Sequence, residues 1–166
     1  MNVENFRAMY KAELQEACSV EAQLTHALPK MAESAHSDTL KQALRMHLEE
    51  TRGHQQRVEQ LLRTHGAEPR GHTDQSMQAM IQEAEKWAGM VQEPALRDAG
   101  LIASAQRVEH YEIAIYGTLA TWAKQLGLQQ DLQTLHEILD QEKQADTKLT
   151  DLAKANVNPT AMAAAE

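Results

Sequence analysis

Apolar side chains recur every three to four residues along almost the whole chain, which is the period of an α-helix. Little interrupts this pattern, because the 166 residues include only seven Gly and four Pro. The pattern predicts four long helices and a shorter one between the second and third of them. Their approximate spans are residue 3 to the low thirties, 37–66, 74–91, 94–127 and 129–155.

Capping residues, glycine and proline indicate where these helices begin and end. Ser37 or Asp38 is expected to cap the second helix, and Gly66 suits the position just after its last turn. Pro94 suits the first turn of the next long helix. Pro29 is expected to kink or end the first helix, because its ring removes a backbone donor and clashes with the preceding turn.

The lengths of the connections predict how the helices are arranged. The first two long helices share a turn so short that they must be antiparallel, and the last two do as well. A connector of nearly 30 residues with its own short helix joins the two hairpins. We therefore predict an all-α fold, a ferritin-like four-helix bundle whose long crossover carries a short fifth helix. The bundle is assigned to residues 1–157, and residues 158–166 are expected to form a disordered tail.

Each of the four long helices has an acidic residue near the middle of its apolar stripe, which is the face that its apolar side chains share. These residues are Glu21, Glu50, Glu109 and Glu142. Burying a carboxylate costs several kcal/mol unless it is paired or bound to a metal. Carboxylates that converge from four helices are typical of a dinuclear metal site in a bundle core. For any single one of these residues, the simpler interpretation is a side chain at the stripe's edge that reaches water.

Further candidate ligands lie one helical turn from these acids. His54 follows Glu50 by four residues, Asp146 follows Glu142 by four, and Glu112 is near the centre of its stripe. Carboxylates with imidazole favour Fe or Mn over a thiolate-preferring metal. Two trivalent ions would neutralise the six carboxylates. The predicted metal ligands are Glu21, Glu50, His54, Glu109, Glu112, Glu142 and Asp146.

Several neighbouring residues have alternative interpretations. His54 is equally consistent with a core imidazole that is hydrogen-bonded to a carboxylate. His47 is expected to orient Glu50 rather than to bind metal. Tyr116 can hydrogen-bond a ligand, although a plain core tyrosine is the commoner case. Cys18 is the only cysteine, and we expect it to be an inert core thiol.

Charge and composition limit the partners. Sixteen basic against 24 acidic residues, with no basic run, argue against nucleic acid. No stretch approaches about 18 uninterrupted apolar residues, so no membrane span is expected. A single cysteine and an N-terminus without the features of a secretory signal indicate the cytoplasm.

Three stretches resemble the YciE/YciF stress-protein family, and the YciF members more than the YciE members. They are HLEETRGH (47–54), LIASAQRVEHYEIAIYGTLATWAKQLG (101–127) and EKQADTKLTDLAKANVN (142–158). The resemblance implies a ferritin-like bundle with a di-metal carboxylate site, commonly dimeric and linked to bacterial stress responses. The chain departs from the Glu-x-x-His motif of the wider ferritin-like group, because Gly53 and Ala145 stand where histidines are usual.

These observations favour a cytoplasmic stress protein with a dinuclear Fe or Mn centre that reacts with peroxide or oxygen. A homodimer is expected, with the Met- and Trp-bearing crossover helix as its surface. Whether the protein is an enzyme is left open. The alternatives are a structural bundle without turnover and a metal-binding module without redox chemistry.

Overall fold

The computed structural model describes residues 3–164, which form helices and the loops between them. The helices are α1 (Phe6–Ser34), α2 (Asp38–Thr64), α3 (Gln75–Met90), α4 (Pro94–Gln125), α5 (Gln129–Leu152), a π-helical turn (Ala153–Val157) and α6 (Asn158–Ala164). In this part of the chain, no helix combines the length and the apolar composition that crossing a bilayer requires.

Two antiparallel hairpins, α1–α2 and α4–α5, make the bundle. Contacts are most extensive within each hairpin, and the hairpins meet through α1 against α4 and α2 against α5. The end of α2 and the start of α4 lie at opposite ends of the bundle, so the chain must cross its full length between them. Helix α3 lies within this crossover and packs on α4 and α1. The predicted ferritin-like bundle with a fifth helix in its crossover is confirmed.

Helices α2 and α4 end in the same way, at the same end of the bundle. Gly66 and Gly127 have positive φ angles of 64° and 72°, and each stands just after the last turn of a helix. The next residue in each case donates its backbone N–H to a carbonyl five residues earlier, Ala67 to Leu62 and Leu128 to Ala123. This hydrogen-bond pattern is the Schellman motif, in which glycine avoids the steric cost of positive φ.

The predicted helix starts are also confirmed. The Ser37 side chain caps α2 by accepting the backbone N–H of Leu40, and Pro94 is in the first turn of α4. Asp74 caps α3 by accepting the N–H of Met77 at 2.6 Å. The positions where these helices begin are therefore determined by local capping residues that can be recognised in the sequence.

Helix α1 ends at Ser34, in the low thirties as predicted, so Pro29 does not end the helix. Leu28 and Ala32 on its inner face are buried in the core. At the other end of the chain, residues 158–164 are helical rather than disordered. The π-helical turn and α6 pack on α4, with Val157 and Ala161 buried. Residues 165–166 of the predicted tail lie outside the described part of the chain.

Asp98 links the start of α4 to the loop between α1 and α2. Its buried carboxylate accepts the backbone N–H of His36 at 2.7 Å and that of Ser37 at 2.6 Å. These bonds hold the turn of the first hairpin against the second hairpin. The same loop positions Ser37 as the cap of α2.

Replacing Asp98 with alanine is expected to lower the free energy of unfolding by about 2–3 kcal/mol, because two buried N–H groups lose a charged acceptor. Urea denaturation followed by circular dichroism measures this change. Asp38→Ala is the matched control, since the Asp38 side chain is 99% exposed. A loss no larger than that of the control would contradict the linking role.

Candidate metal centre

Six ionisable side chains converge from the four long helices at the middle of the bundle. Apolar residues spaced at three and four along each helix direct one face inward, and these side chains occupy that face. They form two groups of potential ligand atoms, and the atoms within each group lie within 4.8 Å of one another. The first group is His47, Glu109, Glu112 and Glu142, and the second is Glu21, His54 and Glu142.

Glu142 belongs to both groups. One of its oxygens, Oε1, lies 2.7 Å from Nδ1 of His54, whereas Oε2 lies 3.9 Å from Nε2 of His47. Each oxygen therefore faces a different group. A carboxylate that presents its two oxygens to two adjacent ligand sets is arranged to bridge two cations.

The groups are buried, and several of their carboxylate oxygens lack hydrogen-bond partners. Glu21, His54, Glu112 and Glu142 are 0% exposed. Both oxygens of Glu112 and both of Glu142 lack a well-aligned hydrogen bond, although Glu142 is at ion-pair distance from His54. Buried polar atoms in proteins nearly always have partners. A set without them is suited to hold a cation.

His54 is oriented as a metal-binding histidine usually is. Its Nε2 lies 3.1 Å from Oε1 of Gln141, which also accepts a hydrogen bond from Arg57 at 2.6 Å. Because this oxygen is an acceptor, Nε2 carries a proton. Nδ1 faces Oε1 of Glu142 at 2.7 Å and Oε1 of Glu21 at 3.6 Å, and it would become a ligand atom once its own proton is released. Burial lowers the pKa of His54, but Glu142 and Glu21 raise it overall to about 10. Donation of the distal ring N–H to a carbonyl is the usual way of fixing a ligand histidine.

His47 and Glu50 have the reverse of the expected relationship. The His47 Nε2 faces Glu109 Oε1 at 3.2 Å, whereas its Nδ1 lies 3.5 Å from Glu50 Oε2. Glu50 thus orients His47, which was expected to orient Glu50. The spacing of His47, Thr51 and His54 explains this result, because steps of four and three residues keep all three on one helical face. That spacing was the available sequence signal for His47.

Two of the seven predicted ligands lie outside both groups. The Glu50 side chain is 28% exposed and is 3.8 Å from Lys148. Asp146 is partly buried and accepts a hydrogen bond from Gln106 at 3.0 Å. Each lies about 100° around its helix from an inward residue, Thr51 or Ala145, and so reaches the bundle's edge.

Tyr116 contributes a hydroxyl to the second group. Its phenol donates a hydrogen bond to Oε1 of Glu21 and is fully buried, so the expected link to a candidate ligand is confirmed. The hydrogen bond leaves Oε2 of Glu21 without a partner. Cys18 lies elsewhere and is buried, and burial raises the pKa of its thiol to about 11, as befits an unreactive core thiol.

Crowding of buried charges shifts the pKa values of the groups. Burial raises the pKa of Glu109 to about 8, and burial together with Glu142 and Glu21 raises that of Glu112 well above its usual range. Burial lowers the pKa of His47, but the interaction with Glu50 and the charges of Glu109 and Glu142 raise it overall to about 9. Without a cation, the cluster therefore holds protons.

These residues fit a pair of transition-metal ions. Four carboxylates and two imidazoles without a thiolate make a hard to intermediate donor set, which suits Fe or Mn. The unpartnered oxygens of Glu112 and Glu142 supply the anionic atoms that cations require. Together, the fold and the site define a ferritin-like helical bundle with a candidate dinuclear metal centre.

The chain belongs to the family described as a domain of unknown function, DUF892, which matches residues 5–162. It is 42% identical over 162 residues to protein YciF from Escherichia coli (strain K12), covering 97% of this chain and 98% of the relative. The predicted membership of the YciE/YciF family is thereby confirmed.

Solved structures share the fold. The crystal structure of the E. coli stress protein YciF matches with a TM-score of 0.89 and 41% identity, covering 94% of this chain and 99% of YciF. YcfI from Rhodopseudomonas palustris, described as a candidate structural protein, matches with a TM-score of 0.87 and 38% identity, covering 90% and 95% of the two chains.

Replacing Glu112 with glutamine is expected to stabilise the metal-free protein at neutral pH. The free energy of unfolding should rise by at least about 1 kcal/mol, the equivalent of one pKa unit, because a neutral amide avoids the cost of the crowded carboxyl. Chemical denaturation with a chelator present measures it. Glu49→Gln is the control, since that side chain is 68% exposed. Destabilisation by Glu112→Gln would contradict the assigned crowding.

The stability of the metal-free protein is expected to fall as pH rises. The contribution of Glu109 to the free energy of unfolding is fully present below its usual pKa of 4.5 and is lost as the pH rises through about 8. The contribution of His47 is fully present below its usual pKa of 6.5 and is lost as the pH rises through about 9. Ligation requires unprotonated groups, so metal uptake at neutral pH should release protons and reduce this pH dependence. Thermal melting across this range and proton release into weak buffer test both effects. Metal uptake without proton release would contradict the assignment.

Proposed function

We propose that this chain binds two Fe or Mn ions and oxidises bound metal with peroxide or oxygen during bacterial stress. The observation that carries the proposal is the pair of ligand groups joined by Glu142, with unpartnered carboxylate oxygens in both. The similarity to the stress protein YciF supports the physiological setting. The cytoplasm is the proposed compartment.

Each residue has a definite role in this proposal. Glu142 would be shared between the two ions. Glu109, Glu112 and His47 would hold one of them, and Glu21 and His54 would hold the other. When bound, Fe or Mn would supply one-electron redox chemistry toward peroxide or oxygen.

Charge balance favours divalent ions in the resting site. The two groups contain four carboxylates, Glu21, Glu109, Glu112 and Glu142, and two neutral imidazoles. Two divalent cations cancel their four negative charges, whereas two trivalent cations leave a buried excess of two positive charges. The six-carboxylate set expected from sequence favoured the oxidised pair. Because Glu50 and Asp146 lie outside the groups, the proposal now favours a site that takes up Fe(II) or Mn(II).

Supporting side chains hold this arrangement and move protons. Gln141 and Glu50 fix the rings of His54 and His47, so that each presents one nitrogen to the centre. The buried Tyr116 phenol donates to Glu21 and excludes water from that side. The carboxyls and imidazoles that hold protons in the metal-free state release them as cations bind.

The second candidate function is a structural bundle without turnover. The description of YcfI as a candidate structural protein favours it. This alternative requires that the protein be folded and stable without metal, and that ligand substitutions leave its biological role intact.

We also propose a homodimer through α3, where Trp87 and Met90 are 40% and 58% exposed.

Metal analysis of the purified protein tests the central proposal. We expect about two Fe or Mn ions per chain. Because Glu142 belongs to both groups, Glu142→Ala should lose both ions. Glu21→Ala should lose mainly one ion, and Asp146→Ala, altered one turn from Glu142 on the same helix, should retain both. Wild-type protein that takes up neither metal on reconstitution would contradict the proposal.

An oxidation assay then separates the redox function from simple binding. Metal-free protein is mixed anaerobically with two equivalents of Fe(II), and peroxide or oxygen is added while Fe(III) absorbance is recorded. We expect oxidation at least about tenfold faster than in the Glu142→Ala variant, which corresponds to 1.4 kcal/mol in barrier height. Two tightly bound ions with no acceleration would instead support a non-redox metal-binding module.

A further inference from the structure

A cavity between α2 and α5 leads from the surface to one side of the candidate metal centre. Its volume is about 350 Å³, and Met46 and Lys148, both exposed, lie at its mouth. Leu44, Leu149 and Leu152 form apolar walls. The inner end presents His47, Glu50 and Glu109.

The cavity is much larger than peroxide or oxygen requires. A water molecule occupies about 30 Å³ in the liquid, and a cavity of about 150 Å³ can hold benzene. A volume of 350 Å³ is also within the range of sites that bind organic ligands. By this comparison, the space suits a molecule with about twelve non-hydrogen atoms.

The charges around the cavity select against an anion. Two carboxyl groups, Glu50 and Glu109, face the space. The lining cations are already paired with them: Lys148 is 3.8 Å from Glu50, and His47, a cation when protonated, lies 3.5 Å from Glu50 and 3.2 Å from Glu109. Oε1 of Glu109 makes no well-aligned hydrogen bond, although it lies 3.2 Å from Nε2 of His47, and the residue is 2% exposed. The inner end therefore requires a hydrogen-bond donor, while the walls require an apolar body.

A second, larger cavity lacks this chemistry. It has a volume of about 420 Å³, lies beneath α3, and is lined by residues such as Ala27, Ala88 and Leu101. None of the residues in the two metal-ligand groups lines it. Although larger, it offers no unpartnered buried group to recognise the polar end of a ligand.

We propose that the cavity between α2 and α5 binds an uncharged alcohol or phenol, with its hydroxyl directed to Glu109 and its apolar body along the leucines. Such a ligand would lie beside the metal position that includes His47. The inference deepens the proposed function by naming a class of organic ligand for the same site. Its recognition by Glu109 and the apolar walls is a property of the metal-free chain as well.

The test uses 1-naphthol and metal-free protein. Isothermal titration calorimetry compares 1-naphthol with 1-methoxynaphthalene, which has a similar apolar body but cannot donate a hydrogen bond. We expect saturable binding of 1-naphthol and at least about tenfold weaker binding of the methoxy compound, a difference of 1.4 kcal/mol. Equal affinities would overturn the assigned role of Glu109 as acceptor.

Two matched substitutions locate the ligand. Ala43 and Ala88 are both half-buried helical alanines, and each lines one of the two cavities. Ala43→Phe should weaken 1-naphthol binding at least about tenfold by filling the space, whereas Ala88→Phe should leave it within about twofold. Thr39→Trp, at an exposed position of the same cavity, provides a second block that does not alter the core. Loss of binding in Ala88→Phe alone would overturn the proposal.

Metal content separates this inference from the proposed function. Ala43→Phe and Thr39→Trp should retain the metal stoichiometry of the wild-type protein, since neither residue belongs to the ligand groups. Wild-type protein that binds 1-naphthol but no metal would support the ligand site and contradict the metal centre. Protein that binds metal but no 1-naphthol would support the metal centre and contradict the ligand site.

Discussion

The bundle is organised around the burial of four carboxylates and two imidazoles at its centre. Removing such groups from water has a high desolvation cost, which neighbouring protein groups only partly offset here. Tyr116 satisfies one oxygen of Glu21, and Gln141 satisfies one nitrogen of His54. The oxygens of Glu112 and Glu142 remain without partners. The rest of the fold must supply enough apolar packing to hold this arrangement together.

The ends of the bundle show that unpartnered groups are not a general property of this chain. Asp131 is buried, yet it accepts hydrogen bonds from Tyr10 at 2.8 Å and is 2.6 Å from the ring of His65. Asp98 and Asp74 are buried and likewise have backbone and side-chain donors. Among residues 3–164, only the Ser104 hydroxyl is a buried side-chain atom without a partner outside the central cluster. The deficit is therefore confined to the place where cations would bind.

Much of the fold follows from signals that lie close together in the sequence. Helical periodicity, the caps at Ser37 and Pro94, and the glycines after α2 and α4 are local features, so the hairpins could be predicted. The helix after Val157 was not predicted, because it depends on packing against distant segments. Helix α1 continues through Pro29 for the same reason: the apolar contacts of its inner face outweigh the local effect of proline, and those contacts cannot be estimated from the local sequence pattern.

The site was harder to predict because ligand geometry depends on helical phase to within one residue. Each residue adds about 100° of rotation, so Thr51 rather than Glu50 faces inward, although both fit an approximate stripe. The central acids of α1, α4 and α5 are fully or almost fully buried, and their phase could be predicted from flanking leucines and alanines. His47 was in the predicted stripe as well, but its function depends on Glu109, which is 62 residues away along the chain.

The two candidate metal positions differ in ways that the sequence alone does not indicate. Both histidines come from α2, and both residues of the Glu109–Glu112 pair come from α4. His47 and Glu109 line a cavity that opens to the surface, whereas Glu21 and His54 do not line it. On the enclosed side, Tyr116 is fully buried against Glu21. A small molecule that enters by this cavity therefore meets the His47 position first. Glu142 is the shared group through which binding at that position can affect the enclosed one.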